Sequence, residues 1–224
     1  MSWIIEIALP EGAAAPDTDA LAAPLSGLAG LVTLDAYTPE EAAGSDPMNK
    51  AETPPPLVLI AEFGSRPALE AALASKALGT AIGGLADPAT VTPMRRHFYP
   101  VPDGPGAPLT APVSYLVRYF LPCDDAGAFR AHYMADHPPT QAKLPGIRSI
   151  ICCAPLEGLA SPAAPPAGYL VGNEVAFDSA AAFATAMRSP ARAELRAHMA
   201  GFPPYGGVNS HHLMTRTRLA GDPA

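Results

Sequence analysis

The sequence predicts an α+β protein built from two ferredoxin-like β-α-β-β-α-β units in tandem, each a four-stranded antiparallel sheet with its helices on one face. Two observations carry this. The order of strand-like and helix-like segments repeats on either side of a Pro/Gly-rich stretch, Pro100 to Pro112. The two copies also align without a gap. Phe63-x-Ser65-x3-Leu69-x3-Leu73-x-Ser75 lies against Phe177-x-Ser179-x3-Phe183-x3-Met187-x-Ser189, and the same register sets His97 opposite His211 in the last strand of each half. Apolar spacing alone would recur in any strand-to-helix unit, so spacing and element order together point to duplication. The bounds are residues 1–99 for the first repeat, 100–112 for a linker, 113–218 for the second repeat and 219–224 for a tail.

Trp3 to Leu9 is an apolar, β-branched run stopped by Pro10 and a Gly/Ala/Pro stretch, and reads as the first strand. Asp19 to Leu31 is weakly helical, hampered by Pro24 and two glycines, and Leu31 to Tyr37 follows as a strand. Thr38 to Pro56 is polar and then proline-rich, a loop before the strand Leu57 to Phe63. Arg66 to Leu78 is an Ala/Leu helix, and Met94 to Tyr99 is the fourth strand. Beyond the linker, Val113 to Leu121 alternates as a strand. A helix capped by Asp124 or Asp125 then runs to the double proline Pro138-Pro139. Ile147 to Cys153 and Tyr169 to Phe177 are strands separated by a proline-rich loop. Asp178 to Met199 is helical with a break at Ser189-Pro190, where Ser can cap and Pro can begin the next helix. Val208 to Arg218 closes the series.

Composition removes several classes of function. A chain of 224 residues can bury a proper core as one large domain or two smaller ones, although much of its 49% hydrophobic content is alanine. No window reaches about 18 large apolar residues, which argues against a membrane span. Met1-Ser2-Trp3 enters a strand with no basic leader, so a secretory signal is not expected and a cytoplasmic location is. A net charge of −7 without a basic stripe disfavours nucleic acid. Cys123, Cys152 and Cys153 form no disulfide framework, and Cys152 and Cys153 read as small core residues on opposite faces of one strand. G-x-G-x-x-G, P-loop and G-x-S-x-G motifs are absent, and no H-x3-H pair with a third ligand suggests a metal. No cofactor is therefore expected.

The most informative stretch is Phe129 to Gly146, FRAHYMADHPPTQAKLPG. Phe129, Tyr133 and His137 recur at i, i+4 and i+8, so a helix projects all three from one face. Pro138 and Pro139 should then interrupt the helix, and Leu-Pro-Gly hands over to the strand from Ile147. This aromatic face, His-Pro and Leu-Pro-Gly before a strand resemble the EthD-like branch of the dimeric α+β barrel superfamily, over roughly Val113 to Arg218. The resemblance implies that two such sheets close face to face as a barrel. In a duplicated chain this would form an intrachain pseudo-dimer, with a further homodimer of chains compatible. It also implies a cavity between sheet and long helices that takes a small hydrophobic or aromatic ligand.

In that setting the resemblance makes His137 the first candidate for a general acid or base, with Tyr133 as its hydrogen-bonding partner and His211 and His97 next. Phe129, Phe177, Tyr115 and Trp3 are the aromatic candidates for contact with substrate. Imidazole suits the task because it accepts and donates protons near neutral pH. The alternative reading of His137 is structural, as a donor to carbonyls left open by the prolines. Two functions follow from the resemblance: a cofactor-independent isomerase, cyclase, lyase or monooxygenase acting on an aromatic, quinone-like or lactone substrate, or a non-catalytic binder of hydrophobic molecules in a degradation pathway. Among the remaining polar residues, His132 and Asp136 form an exposed i, i+4 pair. Glu174 is expected to pair with Arg148 or Arg118, and Glu6 and Glu62 are expected to face outward on alternating strands.

Overall fold

The computed structural model describes residues 1–40, 46, 53–102 and 111–221. Most of the expected linker (residues 103–110), much of the loop before the third strand and the last three residues lie outside that set. In chain order the elements are β1 (Ser2–Ala8), α1 (Thr18–Ala22), β2 (Leu31–Pro39), β3 (Val58–Phe63), α2 (Arg66–Leu73), α3 (Lys76–Gly83) and β4 (Thr90–Tyr99). They continue with β5 (Val113–Phe120), α4 (Ala126–Gln141), β6 (Ile147–Pro155), β7 (Tyr169–Phe177), α5 (Ala180–Met187), α6 (Pro190–His198) and β8 (Asn209–Ala220). The same order of strands and helices thus occurs in residues 1–102 and again in residues 111–221.

All eight strands pair antiparallel into one closed barrel, in the order β1-β3-β2-β8-β5-β7-β6-β4, with β4 returning to β1. Closure gives each strand one face toward the helices and one toward the lumen. One face packs under helices, as two separate cores: Ile5, Leu59, Phe63 and Leu69 in one, and Phe129, Tyr133, Phe177 and Phe183 in the other. The opposite face points into the lumen, where Ile4, Ile60, Met94, Ile151 and Met214 form a third cluster. Cys152 belongs to a helix-side core and Cys153 to the lumen, the opposite facing that alternation requires. Burial pushes both thiols up to about 12.

Lumen closure overturns two expectations about carboxylates. Glu6 is 1% exposed and pairs with the guanidinium of Arg118, while Glu62 pairs with Arg96 at 3.1 Å. The alternation was read correctly, but the face opposite the helices meets the other half of the barrel rather than water. Glu174 pairs with Arg96 at 3.2 Å instead of Arg118 or Arg148, and Arg148 reaches Asp178 at the surface. Tyr37 and Ser114 donate to the other oxygen of Glu174 at 3.0 and 2.8 Å. Buried carboxylates persist here because each is paired and hydrogen-bonded.

Two helical expectations also change. The segment after Arg66 is two helices, because Ser75 donates to the Ala72 carbonyl at 2.8 Å and accepts from Leu78 N–H at 3.2 Å, ending one helix and capping the next. The second half breaks at Ser189-Pro190 with Pro190 opening α6 as expected, but Ser189 makes no side-chain cap and donates instead to the Ala186 carbonyl at 2.7 Å. Helix α4 is capped by Asp125, which accepts from Ala128 N–H at 2.8 Å, and it continues through Pro138 and Pro139 to Gln141. Those prolines forgo donors to the carbonyls of Met134 and Ala135, but their φ suits a helix. The turn closes beyond them, with Ala142 N–H on the Pro138 carbonyl at 2.9 Å. A stripe of buried side chains offsets the lost bonds.

Candidate functional site

That stripe is Phe129, Tyr133, His137 and Gln141, all buried on α4 at four-residue spacing. Opposite it, β5 turns Tyr115, Val117 and Tyr119 toward the helices, and α6 closes the space with Arg192, Leu195 and Arg196 at i, i+3 and i+4. Between sheet and helices lies a cavity of about 490 Å³, within the usual size of small-molecule sites. Its wall includes His137, Tyr133, Tyr115 and His211, so four of the sequence candidates meet there.

The other four stand elsewhere. Phe129 is fully buried behind Tyr133, its ring 5.2 Å from that of Tyr205 and 5.4 Å from that of Phe202. Phe177 packs edge-on against Phe183 at 5.7 Å in the core beneath the cavity. Trp3 sits against the helix-side core of the first half, and His97 is half-buried on β4 opposite Cys152 of β6.

His137 is 7% exposed, and its Nδ1 is buried with no hydrogen-bond partner among the described residues. Nε2 is therefore the nitrogen that can meet a ligand. Burial, then the neighbouring His198, Arg192 and His132, hold the imidazole down to about 3. The ring is neutral at pH 7. Its closest aromatic neighbour is Tyr133 at 4.6 Å, while His198 and Phe202 each lie 5.8 Å away. Tyr133 is pushed well above its ordinary value by burial, so its hydroxyl stays protonated. Across the cavity, His211 is held down to about 4, with burial opposed by Asp46 and reinforced by Arg192.

Several wall residues were not anticipated. Gln141 continues the α4 stripe by one turn, a periodicity hidden by the double proline. It exchanges two hydrogen bonds with Asn173 of β7 at 2.7 and 3.1 Å, and this buried amide pair fixes one end of the site. Arg192 and Arg196 were readable only as charges on a helix. Asp46 carried no sequence signal at all. It comes from the polar loop of the first half, accepts from Arg192 at 2.6 and 2.9 Å and from the Tyr115 hydroxyl at 3.2 Å, and is 5% exposed. The exposed pair of His132 Nδ1 and Asp136 is present at 3.2 Å. Among the described residues no cluster of three or more His, Cys, Asp or Glu could hold a metal ion, and no helix is long and apolar enough to cross a membrane.

No family model matches this sequence, and no curated protein matches it. Solved structures do. An anthrone oxidase-like protein aligns over 100% of this chain and 94% of its own, with TM-score 0.62 and 12% identity. A candidate monooxygenase of Lactobacillus acidophilus aligns over 98% and 97% with TM-score 0.57 and 12% identity, and another from Fusobacterium nucleatum over 98% and 96% with TM-score 0.56 and 9% identity. At these identities the likeness is one of fold alone.

Proposed function

We propose that this duplicated ferredoxin-like chain is a cofactor-independent enzyme that takes a small aromatic or quinone-like substrate into the cavity under α4 and α6 and moves a proton through His137. The reading is supported foremost by one observation: a neutral, buried imidazole with a single available nitrogen lines a cavity of about 490 Å³ whose walls are mostly aliphatic and aromatic. In this reading Nε2 removes a proton from a phenol or an activated ring C–H. The anion left behind is met by the protonated hydroxyl of Tyr133, with the guanidinium of Arg196 on the same wall. A ring whose conjugate acid is this unstable in the free protein becomes a useful base only when the anion forms beside it, which ties proton transfer to a bound substrate. The names of the structural neighbours, an anthrone oxidase-like protein and candidate monooxygenases, suit an acidic polycyclic ketone or hydroquinone, with molecular oxygen as co-substrate.

The test uses the whole chain with a hydroxyanthrone and with a hydroquinone in air-saturated buffer, followed by the absorbance of the quinone product. His137→Gln should lower kcat by about 10²- to 10⁴-fold with KM little changed. The wild-type kcat/KM should be flat from pH 5 to 8, with no limb near 6.5, because the free imidazole is neutral throughout. Undiminished turnover in His137→Gln removes this mechanism. Micromolar binding of the same compounds without turnover in the wild type establishes the non-catalytic binder instead, a reading favoured by how costly the imidazolium is at this position.

A further inference from the structure

The strands that wall the first cavity also wall a second one. Alternation sends Tyr115, Val117, Tyr119 and His211 to the helix side of β5 and β8, and Leu116, Arg118, Phe120 and His212 to the lumen. On that lumen side, toward one end of the barrel, lies a separate space of about 210 Å³, divided from the first by the sheet itself. An eight-stranded barrel is just wide enough to be filled by its own side chains or to hold one small ligand. Here the filling is incomplete.

The chemistry of this space is mixed in a way that packing alone does not require. Ala8, Val58, Leu116, Phe120 and Ala167 supply apolar wall, while Arg118 and His212 are charged or polar, 5% and 7% exposed. Arg118 is already committed: Nε and Nη2 donate to Glu6, and Nη1 donates to the carbonyls of Val117 and Asn173 at 3.0 and 3.1 Å. His212 is not. Its Nδ1 has no partner among the described residues, and Nε2 stands 3.8 Å from the Glu11 carboxylate, beyond hydrogen-bond reach. Burial and the nearby Arg118 hold this imidazole down to about 4, so it is a neutral group able to serve one hydrogen bond.

We infer that the barrel lumen is a second ligand site, for an uncharged single-ring aromatic bearing a hydroxyl, which lies against Leu116 and Phe120 and hydrogen-bonds His212 Nε2. Size sets one ring: a dry cavity of about 150 Å³ accommodates benzene, and this one is modestly larger. Charge excludes an acid, because the guanidinium is spent on Glu6 and Glu11 stands at the rim. The site is independent of the proton-transfer reading of the first cavity.

The decisive probe is 4-fluorophenol added to the full chain with labelled methyl groups. Shifts should saturate at Val58, Leu116 and Ala167, whose methyls face the lumen; shifts at Val117, Leu144 and Val175 report the helix-side cavity and are scored apart. Ala8→Phe, which fills the lumen, should weaken the lumen shifts at least tenfold. Benzoate should bind there at least tenfold more weakly than the phenol, and His212→Leu should abolish the preference for 4-fluorophenol over fluorobenzene. Silent lumen methyls in the wild type at saturating probe overturn the inference whether or not the variants fold. So does undiminished lumen binding in folded Ala8→Phe.

Discussion

At the scale of single residues, His137 and His212 are imidazoles folded into places where they cannot hold a proton. Above pH 6.5, the ordinary value, folded and unfolded chains both keep these rings neutral, and stability does not depend on them. Below it the unfolded chain takes up protons that the native chain refuses, down to about pH 4 for His212 and about 3 for His137. Stability must therefore fall as pH falls, by up to about 1.4 kcal/mol per pH unit for each ring. Urea midpoints between pH 7 and 5 measure this slope, and His137→Phe should flatten it by about its own share. A slope unchanged in that variant would mean that the ring is protonated in the native protein.

At the scale of elements, the serines aligned in the sequence perform matching work. Ser65 accepts from Ala68 N–H at 3.3 Å at the start of α2, and Ser179 accepts from Ala182 N–H at 3.2 Å at the start of α5. Each cap contributes on the order of 1 kcal/mol, so Ser65→Ala and Ser179→Ala should lower the urea midpoint by similar amounts, and together by their sum. A cap whose removal costs nothing would sever that equivalence. The equivalence of the two serines was legible from the ungapped alignment, but not their capping: the second helix was expected to start at Asp178, whereas Ser179 stands just before α5 as its cap. The break at Ser75 was missed for want of a proline to announce it, and the passage of α4 through Pro138-Pro139 was missed because propensity cannot see the buried stripe that offsets the lost bonds. Gln141 was hidden behind the same prolines.

At the scale of the whole molecule, ionic contacts in the lumen join strands β1–β4 to strands β5–β8. Glu6 of β1 meets Arg118 of β5, Arg96 of β4 meets Glu174 of β7, and Asp35 of β2 meets Arg216 and Arg218 of β8. Glu6→Gln leaves Arg118 buried without a counter-charge and should cost about 3–5 kcal/mol. Glu6→Leu combined with Arg118→Met should be near neutral, since burying the pair is itself costly. Equilibrium urea denaturation of the two single variants and the double variant measures the coupling, and a Glu6→Gln midpoint equal to that of wild type would show that water reaches the pair. Asp46 acts at the same scale, carrying a first-half carboxylate onto Arg192 beside the second-half cavity.

The sequence by itself determined the strands, the acidic cap of α4, the order of elements and the α4 face bearing Tyr133 and His137, because these depend on periodicity and on bonds between near neighbours. Which carboxylates would be buried and which arginine each would meet were decided only by closure of the barrel, and that Tyr115 and His211 rather than His97 or Trp3 share a cavity with His137 was decided by the pairing of β5 with β8 beneath α4 and α6. Those pairings join residues up to 183 positions apart, and nothing in a strand's own alternation states what will cover its second face.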